Sequence, residues 1–137
     1  MKFEELTKDM VINNRDGLDA FTGNMGIIVR SVEEHQAVAE LKLSECLNNP
    51  IGSVHGGAIF TLADIAAGLA ATSDGTKATT LDSNIRFLKA AFFGKTEYLR
   101  ATATLKKVGK KVRVAEVEVT DDAGELICLA TFGFFAI

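Results

Sequence analysis

Two histidines and two cysteines are all that 137 residues supply of the side chains that most often hold transition metals. Cys46 and Cys128 show no metal-ligand spacing, and two histidines are too few for a zinc centre, so no metal is expected. The thiols read as free and buried, the ordinary state in a reducing compartment. The chain lacks a basic-then-apolar leader, and no apolar run is long enough to span a bilayer. A cytoplasmic protein with no membrane contact is therefore expected. Positive charge is not in excess either: 15 Lys and Arg against 18 Asp and Glu leave a net charge of −3. That balance argues against nucleic acid as the main partner. Repeats, linkers and low-complexity segments are also missing. What remains, 47% hydrophobic and 24% charged residues, suits one globular domain over residues 1–137. A chain of this length can bury a core without a metal or disulfide staple.

Phe3, Leu6 and Met10 recur at helical spacing, which predicts a short amphipathic helix ending near Asn13-Asn14. Met25–Val32 and Gln36–Leu43 read as a hairpin turning over Ser31–His35. From His55 to about Ser73 the helical signal is strong, with Ile59, Leu62, Ala63, Ala66, Leu69 and Ala70 on one broad face. Its many alanines favour helix and take little space, so a sheet can approach closely. Thr79–Ala91, Glu97–Lys107, Lys111–Thr120 and Leu126–Ile137 read as four strands. Gly94-Lys95, Gly109-Lys110 and Asp121–Gly124 punctuate them. In the third of these strands the apolar alternation changes phase near Ala115, which predicts a bulge or a change in what covers the sheet. The whole is an α+β arrangement of about six antiparallel strands curled around one long helix. Strands so long and regular suggest that an edge pairs with another copy.

Within this frame one carboxylate stands out. Asp64 is the only charged side chain between Glu45 and Asp74. It follows Gly56-Gly57 at the helix start by two turns, about 10 Å along the axis at 1.5 Å per residue. Glycines there expose free backbone N–H groups at the positive end of the helix dipole, a seat for an oxygen that becomes negative during reaction. A base or nucleophile must come within roughly 3 Å of the same carbonyl. One helix cannot easily offer both groups. Two helices packed antiparallel across a homodimer can, which predicts two symmetric sites, each built from both chains. A tight helix entry and a solvated or merely structural aspartate are the plain alternatives.

The stretch NPIGSVHGG (Asn49 to Gly57), followed by Thr61-Leu62-Ala63-Asp64, resembles the signature of hot-dog-fold acyl-CoA thioesterases. The branch it is most similar to is the phenylacetate-pathway, PaaI-type group. The resemblance covers about the last two thirds of the chain, and the order of helix then four strands agrees with it. It implies hydrolysis of acyl-CoA thioesters, with coenzyme A entering as part of the substrate and no separate cofactor. Asp64 would act as general base or nucleophile, Gly56 as oxyanion donor, and Asn49 as a second donor or orienter of water. His55 would brace the Asn49 loop, and Thr80 would supply a hydroxyl from the partner subunit. Gly57 would help seat the substrate. Phe87 and Lys89 would border the pantetheine channel, and Lys107, Gly109 and Lys110 of the KVGKK turn would meet the nucleotide phosphates. A homodimer is also implied, with the pairing of two dimers into a homotetramer left open. Hot-dog hydratases place a histidine after the aspartate, and none follows Asp64 here, so enoyl-CoA hydration ranks low. A non-catalytic acyl-CoA-binding or regulatory module is the other rival; a pure binder has no need of a carboxylate at the reacting carbon.

Overall fold

The computed structural model describes residues 20–137. The helix expected over Phe3–Asn14 lies outside them. A five-residue helix, α1 (Ala20–Asn24), leads into strands β1 (Ile27–Glu33) and β2 (Gln36–Lys42). The hairpin turns more tightly than the polar run Ser31–His35 suggests. Ser31, Val32 and Glu33 each find a partner on β2, and only Glu34 and His35 remain to reverse the chain. His35 takes φ 64°, and its N–H is held by the Ser73 hydroxyl at 2.7 Å, which stabilises a conformation usually left to glycine or asparagine.

Helix α2 (Gly56–Ala71) lies across one face of a six-stranded sheet. The other strands are β3 (Ala78–Phe87), β4 (Tyr98–Val108), β5 (Val112–Asp121) and β6 (Leu126–Ala136). Every pairing is antiparallel, in the order β1-β2-β4-β5-β6-β3. The close approach of helix and sheet has a simple origin. Ala63, Ala66, Ala67, Ala70 and Ala71 are fully buried, and they meet a sheet whose central inward positions are also small: Ala37, Ala39, Ala101, Ala103 and Ala115. Methyl against methyl lets the sheet curl around the helix, while Leu41, Leu99, Val117, Val119 and Phe132 fill the flanks. This is the hot-dog arrangement.

Three local expectations need correction. The strand after the helix stops at Phe87 rather than Ala91, because the Leu88 and Lys89 N–H groups both turn onto the Ile127 carbonyl. In β5 the alternation keeps its phase: Arg113, Ala115, Val117 and Val119 all point inward, and Val112 and Val114 lie half-buried on the other face. The irregularity is in β4, where Lys106 is the extra residue opposite a continuous β5. Of the two free cysteines only Cys128 is buried, and burial pushes its thiol up to about 11. Cys46 is exposed, in a short 3₁₀ turn with its sulfur 3.1 Å from the Ser44 hydroxyl. Among the described residues no helix is long and apolar enough to cross a membrane.

Candidate active site

The entry to α2 is built by one side chain. Asn49 accepts through Oδ1 from the N–H groups of Ile51 and Ser53, both at 3.1 Å, and donates from Nδ2 to the Ser53 hydroxyl at 2.8 Å. Its own N–H reaches the Ser53 carbonyl at 2.7 Å. Asn49 therefore holds the loop itself, and His55 makes no side-chain bond to it. His55 instead occupies the N-cap of α2, with its Nδ1 accepting from the Gly57 N–H at 3.1 Å. An accepting Nδ1 carries no proton, so the neutral ring bears its hydrogen on Nε2.

The cap decides which glycine is available. The Gly57 N–H is consumed by His55, and a Cβ at Gly57 would press on the same ring at 3.3 Å. Gly57 thus makes room for the cap. The Gly56 N–H is left without an acceptor among the described residues. It is one of the orphan donors of a helix start, in the positive end of the dipole. The Phe87 ring stands beside it, 3.4 to 3.7 Å from where a Gly56 Cβ would be.

Asp64 lies eight residues further on, roughly 12 Å along the helix axis. It is half-buried, and the Thr80 hydroxyl donates to its Oδ1 at 2.7 Å. This contact is within one chain, whereas the resemblance implied a hydroxyl from the partner. A bulge at Leu81 makes it possible. Thr80 pairs with inward-facing Phe134, and the extra residue then turns Asp82 to the outer face, over Gly133.

The remaining expected residues divide. Phe87 lies beside Gly56 at the start of α2, as described. Lys89 lies just beyond Phe87, with its ammonium paired to Glu125. Lys107, Gly109 and Lys110 sit at the β4–β5 turn, at the opposite end of the sheet, next to the C-terminus of α2. What holds them there was missed in the sequence. Arg113, buried on the inward face of β5, donates to the carbonyls of Gly109 and Ala71, to Asp74 Oδ1 and to the Thr76 hydroxyl, and pairs with Asp74 Oδ2 as an ion pair. Its signal was present: an arginine in the inward register of an otherwise apolar strand.

Two clefts, of about 770 and 580 Å³, lie over β1, β2 and β4 on the side of the sheet away from α2, and neither includes Gly56, Asp64 or Thr80. They are walled partly by Arg30 and Arg100, which clamp the buried Glu40 carboxylate at 2.6 to 2.8 Å. Burial alone would raise the Glu40 carboxyl, yet the two guanidiniums hold it below its usual range. The side toward β3 is different. No residue of this edge strand is buried, and Leu81 and Phe87 are 55% and 51% exposed.

A family model described as Thioesterase superfamily matches residues 51–128, which includes Gly56, Asp64 and Thr80. The chain belongs to the thioesterase superfamily. Within that superfamily its relatives are specific. The acyl-coenzyme A thioesterase PaaI of Escherichia coli (strain K12) is 33% identical over 111 residues, which is 81% of this chain and 78% of the relative. The solved structure of the E. coli PaaI protein has a TM-score of 0.84 at 31% identity, covering 88% of this chain and 86% of that one. The 1,4-dihydroxy-2-naphthoyl-CoA hydrolase of Listeria monocytogenes is 31% identical over 77% of this chain and 86% of the relative. A Streptococcus mutans UA159 protein solved with acetyl CoA bound has a TM-score of 0.81 at 29% identity, covering 91% and 97%. The chain is a PaaI-type hot-dog thioesterase.

Proposed function

We propose that this thioesterase hydrolyses acyl-coenzyme A to a free acid and coenzyme A in the cytoplasm, at sites shared between two copies of the chain. The observation that carries the reading is the pair formed by an unclaimed Gly56 N–H and a hydroxyl-oriented Asp64 on one helix. The named acyl-CoA hydrolases among the relatives, and the acetyl CoA in the S. mutans structure, supply the substrate class.

The chemistry follows from the two groups. The thioester oxygen accepts from the Gly56 N–H, which stabilises the negative charge that grows as the carbonyl becomes tetrahedral. Thr80 holds Asp64 Oδ1, and the carboxylate's second oxygen is left to take a proton from an attacking water. The water oxygen bonds to the carbonyl carbon, the C–S bond breaks, and the thiolate recovers the proton from Asp64. A thioester is electrophilic enough for this sequence to need no metal or organic cofactor. Asp64 acts here as general base. Single turnover in ¹⁸O-water should label the product acid and leave the Asp64 carboxyl unlabelled.

The second copy is needed because Gly56 and Asp64 of one helix are too far apart for one carbonyl. Pairing of two β3 edges would cover the exposed strand and set two α2 helices side by side, antiparallel, with Gly56 of one facing Asp64 of the other. The same pairing brings the Lys107–Lys111 turn, at the far end of its own helix, to the partner's Gly56 end. Three lysines could then meet the phosphates of coenzyme A while the acyl group lies between the helices. Two such dimers would associate as a tetramer.

The decisive experiment is Asp64→Ala. Thiol release from a panel of short, long and aromatic acyl-CoAs should fall by about a hundredfold or more, with acyl-CoA binding nearly intact. Undiminished turnover would remove Asp64 from the mechanism.

A further inference from the structure

We infer that Arg113 is a positioning residue for coenzyme A recognition: it fixes the KVGKK turn to the end of the helix that carries Asp64. The inference rests on the reading that the lysines of this turn meet the nucleotide phosphates. It adds a residue that itself touches no substrate.

A guanidinium has five N–H donors, and Arg113 uses four of them in hydrogen bonds and adds an ion-pair contact. Nε donates to the Gly109 carbonyl at 3.4 Å. Nη1 donates to the Ala71 carbonyl and to Asp74 Oδ1, both at 3.0 Å. Nη2 donates to the Thr76 hydroxyl at 3.1 Å and stands 2.9 Å from Asp74 Oδ2. Three separate segments thus converge on one buried side chain: the last turn of α2, the loop into β3, and the tip of the β4–β5 hairpin. Such convergence limits the freedom of everything attached to it.

The hairpin tip is shaped to be held in this way. Gly109 donates to the Val112 carbonyl at 3.1 Å, and a Cβ at Gly109 would overlap that carbonyl oxygen. Backbone cannot yield as a side-chain end can, so only glycine fits this conformation, in which the Gly109 carbonyl is aimed at Arg113. Lys107, Lys110 and Lys111 flank that point and are exposed. Long, flexible lysines gain affinity for a phosphate group when their stems start from a fixed base, since less freedom is lost on binding. Arg113 supplies the base and ties it to the helix that bears the reacting carboxylate.

The test compares a full acyl-CoA with the same acyl group on N-acetylcysteamine, which lacks the nucleotide. Arg113→Lys keeps a cation but loses the planar fork. It should raise KM for the acyl-CoA by about tenfold, the cost of one or two weakened charge-assisted contacts. Its kcat, and all its constants on the truncated thioester, should stay near wild type. Gly109→Ala disturbs the tip without touching the guanidinium and should give the same split, so the test survives if Arg113→Lys folds poorly. Equal losses on both substrates, or none on either, would overturn the positioning role. Lys107, Lys110 and Lys111 changed together to Gln separate the two levels. If the triple variant loses the preference for acyl-CoA while Arg113→Lys and Gly109→Ala keep it, only the inference about Arg113 fails. If the triple variant keeps the preference, the phosphate reading falls and Arg113 with it.

Discussion

At the scale of single residues, the helix start shows how a cap can select a functional group. Gly56 and Gly57 look equivalent in sequence, yet His55 Nδ1 takes the Gly57 N–H and leaves that of Gly56 free. This permits an unusually clean deletion. Proline is tolerated at the first helical position, where its missing N–H is an orphan anyway. The residue before it must be extended, and His55 already has φ −61° and ψ 133°. An added Cβ would rest 3.4 to 3.7 Å from the Phe87 ring. Gly56→Pro should therefore fold with a near-normal melting temperature and lose turnover by about a hundredfold, the usual effect of removing one oxyanion donor. Steady-state thiol release alongside thermal unfolding checks both halves. Full activity in a folded Gly56→Pro variant would mean that this amide is not the oxyanion donor.

Among the elements, the C-terminal end of α2 has the strongest electrostatic signature. The Arg113 guanidinium beside Asp74 holds its carboxyl well below the usual carboxylate range, reinforced by Thr76. A carboxylate with a depressed folded pKa adds stability above its unfolded pKa, near 3.9, and loses it as pH falls through the folded value. Between neutrality and pH 5 the contribution is complete. Below about pH 4 the unfolded chain takes up the proton first, and stability drains away. Asp74→Asn should thus lower the melting temperature at pH 7, and its gap from wild type should shrink steadily as the pH is taken from about 4 toward 2. A gap that stays constant over that range would show that the pair does not titrate as the geometry requires.

For the whole molecule, the question is whether one chain suffices. If each site takes Gly56 from one protomer and Asp64 from the other, an equimolar mixture of Gly56→Pro and Asp64→Ala chains has a defined outcome. Each heterodimer holds one site with both native residues and one with neither. Random exchange makes half the dimers heterodimers, so the mixture should recover about a quarter of wild-type activity. Mass spectrometry of intact dimers confirms the exchange. No recovery in a mixture shown to contain heterodimers would place both groups in one chain. Size-exclusion chromatography should also report a dimer or larger assembly, which would cover the exposed β3 edge strand.

Much of this protein was legible from order and pattern alone. The long helix, the alternating strands and their turns were visible because local periodicity encodes them; α2 begins within one residue and ends within two of its expected bounds. The pairing of free glycine amides with a lone aspartate was visible because helix geometry is regular. The sequence could not show that His55 serves Gly57, that Asn49 ties its own loop, or that Thr80 meets Asp64 of the same chain. Nor could it show that Arg113 gathers three segments around its guanidinium. Each of these depends on which side chains meet across distances that local periodicity does not encode. One extra residue at Leu81 turns the next side chain to the other face, and one cap spends one amide and frees its neighbour. Local chemistry determined the elements; their packing decided which of the available groups are left free to react.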